Sequence, residues 1–344
     1  MAIIYYGTEI SFGELASSVE RLSGFLVHEL AVKRRDRILL YMQNCPQYII
    51  AYYAILRADA VVVPVNPMNR AEELRHIVQD TGARVAIVAQ ELLPFVAPSL
   101  DEDALTGVVV TAYGDLLAKD CDLPLPESMT NPPPCLDPRC IPWQKALAGH
   151  LMPPPHRAGA DDWCLLAYSS GTTGAPKGCL HSHRGVNATL IGSVVWNPID
   201  SQSVVLATLP LFHVTGMQNS MNGPIYAGAT IILMTRWDRR LAAEFIERYR
   251  VTHWRSITTM AVDFISDPDI GSRDLSSLRA VGGGGAQMPE AVAAKFQDLL
   301  GLGYIEGYGL TETVAATHIN PPNRPKRQCL GIPVFDVDAR IIDP

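Results

Sequence analysis

The sequence has no apolar run long enough to cross a bilayer. Its most apolar stretch, residues 48–65, is broken by Arg57, Asp59 and Pro64, so no transmembrane segment is expected. The N-terminus, MAIIYYGTEIS, has neither the basic region nor the long apolar core of a signal peptide. Basic residues are also in short supply. Lys and Arg number 28 against 35 Asp and Glu, for a net charge of −7, which argues against nucleic acid as a main partner, because a phosphate backbone needs a basic surface. Seven cysteines, at positions 45, 121, 135, 140, 164, 179 and 329, show no metal-ligand spacing. Their odd count fits a reduced, cytoplasmic setting. No internal repeat is visible.

What remains is an ordinary globular balance: 48% hydrophobic and 18% charged residues over 344 positions, enough for two or so domains with sizeable cores. Short Val/Ile/Leu runs alternate with helical patterns. Ser11 and Glu14 form a capping box before Leu15, Val19, Leu22 and Leu26 at helical spacing. Strands are expected over 37–42, 61–65, 84–88 and 108–111, with helices over 47–58 and 72–80 between them. Residues 118–155 are proline-rich and read as a surface excursion with one short helix near Trp143. Alternation then resumes, with strands over 204–206, 230–234, 253–257, 278–281 and 303–306. The accompanying helices fall over 216–226, 239–250 and 290–299. A basic, proline-rich loop at 320–327 precedes what reads as the start of a new β unit. The expected class is α/β, with mainly parallel sheets covered on both faces.

One stretch stands apart: WCLLAYSSGTTGAPKGCLHSH, residues 163–183. Between two strand-like runs lie Ser169, Ser170, Gly171, Thr172, Thr173, Gly174, Ala175, Pro176, Lys177 and Gly178. Glycines let backbone N–H groups turn toward a ligand, concave sets of such groups hold anions, and hydroxyls and a lysine add donors. A bare SSGTTG could be only a flexible connector; the flanking strands and the Pro–Lys pair favour a phosphate cradle. A Walker A loop it is not, since that motif needs Gly before the Lys and Ser or Thr after it. The next helix start signal is Ser182.

These residues resemble the phosphate loop of the adenylate-forming superfamily, which includes acyl-CoA synthetases, luciferases and peptide-synthetase adenylation domains. A second motif about 130 residues later in the same order, Gly307-Tyr308-Gly309-Leu310-Thr311-Glu312-Thr313, is similar to another signature of that family. Residues 10–15 and 57–67 resemble its early structural motifs. The resemblance implies a large N-terminal domain of two packed αβ subdomains and the start of a small β-barrel. On this sequence those would be 43–200, 1–42 with 201–322, and 323–344. It also implies that the ribose-holding Asp, the hinge and the C-terminal domain with its catalytic lysine lie outside these residues.

The family chemistry joins a carboxylate to the α-phosphate of ATP, expels pyrophosphate, and passes the acyl group to coenzyme A. By resemblance, the loop Ser169–Lys177 would hold the β- and γ-phosphates, with Lys177 as its fixed cation. Glu312 would ligate Mg²⁺, Thr311 would offer a hydroxyl to the α-phosphate, and Tyr308, followed by Gly309, a face for adenine. Gly283, Gly284, Gly285 and Ala286 match the adenine-edge segment. His213, in LPLFHVTGM, stands where amino-acid-activating members carry Asp. A His suits a carboxylate or an acyl phosphate and argues against an α-amino acid. Met217 and Met221 could line an acyl pocket, though their spacing equally fits plain core. The implied function is acyl-CoA ligation with a fatty acid; aryl acids, carrier-protein loading and a non-catalytic nucleotide- or acyl-binding module stay open, as does a homodimer.

Overall fold

The computed structural model describes residues 1–118, 120–135, 137–169 and 176–342. Contacts divide the chain into two compact units, Met1–Gly185 and Val186–Pro344.

The first unit opens with a hairpin of β1 (Ile3–Tyr5) and β2 (Thr8–Ile10). Its two turn residues, Tyr6 and Gly7, have φ of 47° and 86°, the backbone twist that a two-residue hairpin turn needs. The helix Phe12–His28 follows behind the expected capping box. Ser11 Oγ accepts from the Glu14 N–H at 3.2 Å, and Glu14 Oε2 accepts from the Ser11 N–H at 2.8 Å.

Seven further strands build the unit's sheet: β3 (Arg37–Tyr41), β4 (Val61–Pro64), β5 (Val85–Ala89), β6 (Gly107–Thr111), β7 (Cys140–Pro142), β8 (Trp163–Ser169) and β9 (Lys177–Ser182). Their order is β7-β6-β5-β3-β4-β8-β9, and every pairing is parallel except β8 with β9. Strands β5 and β6 are buried along their whole length, as strands covered on both faces must be. The region 118–155 departs from the expected surface excursion. Strand β7 joins the sheet beside β6, and Trp143, heading the helix Trp143–Ala148, is fully buried. One indole buries enough apolar area to fasten a proline-rich segment to a sheet edge.

In the second unit lie β10 (Val204–Ala207), β11 (Thr230–Leu233), β12 (His253–Ile257), β13 (Ala280–Gly284), β14 (Tyr304–Leu310), β15 (Ala315–Ile319) and β16 (Ile332–Pro333). They run in the order β16-β15-β14-β13-β12-β10-β11. The five from β14 to β11 are parallel, while β15 and β16 pair antiparallel. Side chains on β12 alternate. Trp254 is fully buried in an aromatic cluster, 4.8 Å from the buried Phe264 and 5.7 Å from the half-buried Trp237 between ring centres. His253, Arg255 and Ile257 fall on the opposite face.

The helix expected over 216–226 is broken into a turn at Val214–Gly216, a π-helical stretch at Met217–Asn222 and a helix at Gly223–Ala227. Pro224 has no N–H to give to the preceding turn. Such π-helical stretches gather at functional sites. Met217 and Met221 are fully buried core. Residues 320–342 add only β16, and no closed barrel forms among the described residues. No described helix is long and apolar enough to cross a membrane.

Candidate nucleotide and acid site

The glycine-rich motif of the first unit connects two paired strands. Strands β8 and β9 are antiparallel in a register that sets Ser169 opposite Lys177, so the motif spans a hairpin whose ends are fixed by the ladder. Lys177 is exposed at the first position of β9. Ser182 caps the next helix, His183–Trp196, its Oγ accepting from the Gly185 N–H at 3.3 Å. Tyr168 donates to Asp80 Oδ2 at 2.5 Å, and burial with that carboxylate raises its phenol pKa. Ser170, Gly171, Thr172, Thr173 and Gly174 lie outside the described residues.

The second unit holds a cavity of about 420 Å³ at the carboxyl ends of its parallel strands, the position where open α/β sheets take ligands. Leu209 to Asn219 approach from the segment after β10, Arg255 and Ile257 from β12, Gly283 to Gly285 from β13 and its loop, and Ile305 to Gly309 from β14. Gly285 has φ of +86°, which only glycine adopts readily. Register along β14 and β15 shifts between Tyr308 and Gly309, a bulge of the kind that re-aims side chains beside sites. Tyr308 is 43% exposed, and its ring centre lies 6.4 Å from that of His318.

His213 sits on the cavity wall as the N-cap of the turn Val214–Gly216. Its Nδ1 accepts from the Thr215 N–H at 3.3 Å. Surrounding protein desolvates the ring and holds its pKa below the usual histidine value, although the side chain stays accessible. A neutral ring whose Nδ1 accepts carries its proton on Nε2, available as a donor to an acid oxygen.

Of the residues the sequence singled out, His213, Gly283, Gly284, Gly285, Tyr308 and Gly309 line this one cavity. Ala286 does not; its carbonyl accepts from Thr258 Oγ1 at 2.9 Å. Thr311 and Glu312 follow β14 in a 3₁₀ turn, Thr311–Thr313, outside the lining, with Glu312 exposed. Among the described residues no three His, Cys, Asp or Glu side chains cluster as a metal site. A lone exposed carboxylate still fits Mg²⁺, which takes one or two protein oxygens and fills its octahedron with phosphates and water.

Sequence reasoning missed Arg255. Its guanidinium lines the cavity and forms no hydrogen bond or ion pair with a described residue. Burial lowers its pKa to about 10, a pull that Tyr304 opposes. It therefore keeps its charge at neutral pH. Its strand partner Gly282 is hemmed in by backbone first: a Cβ there would stand 2.3 Å from the Ile305 carbonyl and 2.5 Å from Arg255 Nη1. Beside the arginine, His253 is held to a pKa of about 4, first by burial and then by the Arg255 charge. The available signal was a single charge inside a strand between Trp254 and Ser256.

Two αβ units with mainly parallel sheets, one carrying a glycine-rich hairpin and the other a ligand-sized cavity, define a nucleotide-handling architecture. The AMP-binding enzyme family model matches residues 1–344, and the chain belongs to that family. It is 28% identical to a long-chain-fatty-acid–CoA ligase of Bacillus subtilis, covering 99% of this chain and 62% of that protein. It is 30% identical to a feruloyl-CoA synthase of Amycolatopsis, over 100% of this chain and 63% of the relative. The chain thus spans somewhat under two thirds of the curated relatives it matches. Its fold superposes on an anthranilate CoA ligase solved with anthranoyl-AMP, with TM-score 0.86, 23% identity, and 99% and 63% of the two chains covered.

Proposed function

We propose that this chain is the nucleotide- and acid-binding part of an ATP-dependent acid–thiol ligase. A carboxylate oxygen attacks the α-phosphorus of ATP, the bond to the β-bridging oxygen breaks, and pyrophosphate leaves. The acyl-adenylate then yields its acyl group to the thiol of coenzyme A, releasing AMP. Charge spreads over phosphoryl oxygens in the first step, so the protein's contribution is positioning and electrostatic stabilisation.

The observation that carries this reading is the convergence in one cavity of residues from three motifs: His213, Gly283 to Gly285, and Tyr308 with Gly309. In the proposal, the glycine backbone passes along the adenine edge, Tyr308 gives its ring face, and Nε2 of His213 donates to the acid. Ser169 and Lys177 with the residues between them hold the β- and γ-phosphates, and Thr311 reaches the α-phosphate. Glu312 would hold Mg²⁺, which supplies neutralisation of phosphate charge. Coenzyme A as acceptor and a cytoplasmic setting belong to the same proposal. The acid is aliphatic in this reading. Curated relatives named for long-chain fatty acids support that choice, while one named for ferulate marks the aryl alternative.

The test is calorimetric. Lys177→Ala and Glu312→Ala replace exposed side chains, so each should change stability by less than roughly 0.5 kcal/mol. Loss of a charged contact should weaken Mg-ATP binding by about tenfold or more. Unchanged ATP affinity in both variants would remove the assignment.

A further inference from the structure

Among the described residues Arg255 has no hydrogen-bond or ion-pair partner for its guanidinium, and it lines the cavity without belonging to any of the nucleotide motifs. It lies on β12, and together with Asn219, from the π-helical stretch, it lines both the main cavity and a neighbouring one of about 20 Å³. The smaller space also meets Asn197, Gln218 and His253, and it has room for one water-sized group. Gly282 pairs with Arg255 across the ladder, and the apolar residues Leu209, Phe212, Ile257 and Ile305 share the wall of the same cavity.

The neighbours that could offset this charge are neutral. His253 is held deprotonated. Tyr304 is held protonated by burial, its pKa pushed up to about 12, with its hydroxyl 2.9 Å from Ser256 Oγ. Arg255 is half-buried, and a partly desolvated cation is costly unless a counter-charge arrives. Here no described carboxylate supplies one. A plain fatty acid, whose far end is a methyl group, would press apolar carbon against the guanidinium and leave it poorly solvated.

We infer that the acid bound by this cavity carries a second anionic group, a carboxylate at the end distal to the reacting one, and that Arg255 receives it. Rather than an unsubstituted fatty acid, the substrate class is a short aliphatic dicarboxylic acid. A planar guanidinium takes a carboxylate through two parallel hydrogen bonds. The Asn219 side chain donates to the Thr215 carbonyl at 3.0 Å, which fixes its amide beside the same end of the cavity. This inference rests on the proposed function and narrows its substrate.

The experiment compares sulfamoyl-adenosine conjugates that mimic acyl-adenylates and differ only at the far end of the acyl chain. Succinyl, adipoyl and suberoyl conjugates are each set against the butyryl, hexanoyl or octanoyl conjugate of equal length, by calorimetry on this chain. At least one diacid conjugate should bind about tenfold or more tightly than its monoacid partner. Arg255→Met should bring that ratio close to one, while Arg255→Lys should keep part of it. If every monoacid conjugate binds as well as its diacid partner, the inference is overturned and the adenylation reading stands. If no conjugate of either kind binds, both fall together. Should Arg255→Met fail to fold, the wild-type ratios alone decide.

Discussion

His253 stands beside Arg255 on the cavity side of β12, with its pKa held near 4 against an ordinary value of 6.5. In the unfolded chain the same ring titrates normally, so between those two values the unfolded state binds the extra proton. Stability is therefore greatest above about pH 6.5 and is lost as pH falls toward 4. Urea unfolding of the wild type at neutral and mildly acid pH should show this loss, and His253→Gln should show less of it; identical pH slopes would exclude the residue. Such a residue was legible only as a strand position. Its neutrality comes from the side chains around it, and no spacing in one dimension states which charges a fold will bring together. His213 differs, because the PLFH context marked it before any geometry was known. Its Nδ1 contact with the Thr215 N–H adds which nitrogen is free.

Among the elements, the helix Phe12–His28 and the hairpin β8–β9 were readable because their signals are local: a cap with its reciprocal partner, and a glycine-rich motif between apolar runs. Ser11→Ala removes the hydroxyl that accepts from the Glu14 N–H and donates to Glu14 Oε2 at 2.7 Å, and leaves only the backbone half of the cap. The cost should be about 1 kcal/mol, read as a lower denaturant midpoint with an unchanged slope. A full-strength midpoint in the variant would show that packing of Leu15, Leu22 and Leu26 alone sets the helix start. The π-helical stretch and β15 were not readable. Nothing in Met217–Asn222 distinguishes a wider turn from an ordinary one; the ladder shifts because of Pro224 downstream and the close packing of Gly216, whose Cβ would meet the Pro210 carbonyl at 2.2 Å. Strand β15 follows a 3₁₀ turn closed by Val314 and Ala315 at φ of 55° and 99°. Those are poor residues for left-handed backbone, so no turn signal announced the reversal.

For the molecule as a whole, composition and order carried much of the fold, because parallel α/β units write themselves as alternating apolar runs and amphipathic helices. They carried less of the site. Two family motifs marked the expected nucleotide region, while the residue proposed to narrow the acid is a single arginine in a strand. All seven cysteines are free, so no disulfide staples the fold, and thermal midpoints measured with and without dithiothreitol should coincide. A fall on reduction would reveal a covalent link that the structure lacks.

The crowding at Gly282 has a consequence for how this protein can change over generations. A methyl group at position 282 would stand 2.3 Å from the Ile305 carbonyl of β14 as well as 2.5 Å from Arg255 Nη1. Losing the arginine clears only the side-chain obstacle, and the backbone one remains, so the glycine cannot drift in either case. Lineages that exchange one acid for another should therefore vary position 255 over an unchanging glycine. Because that glycine persists, a descendant that has lost the cation keeps the space in which to regain it.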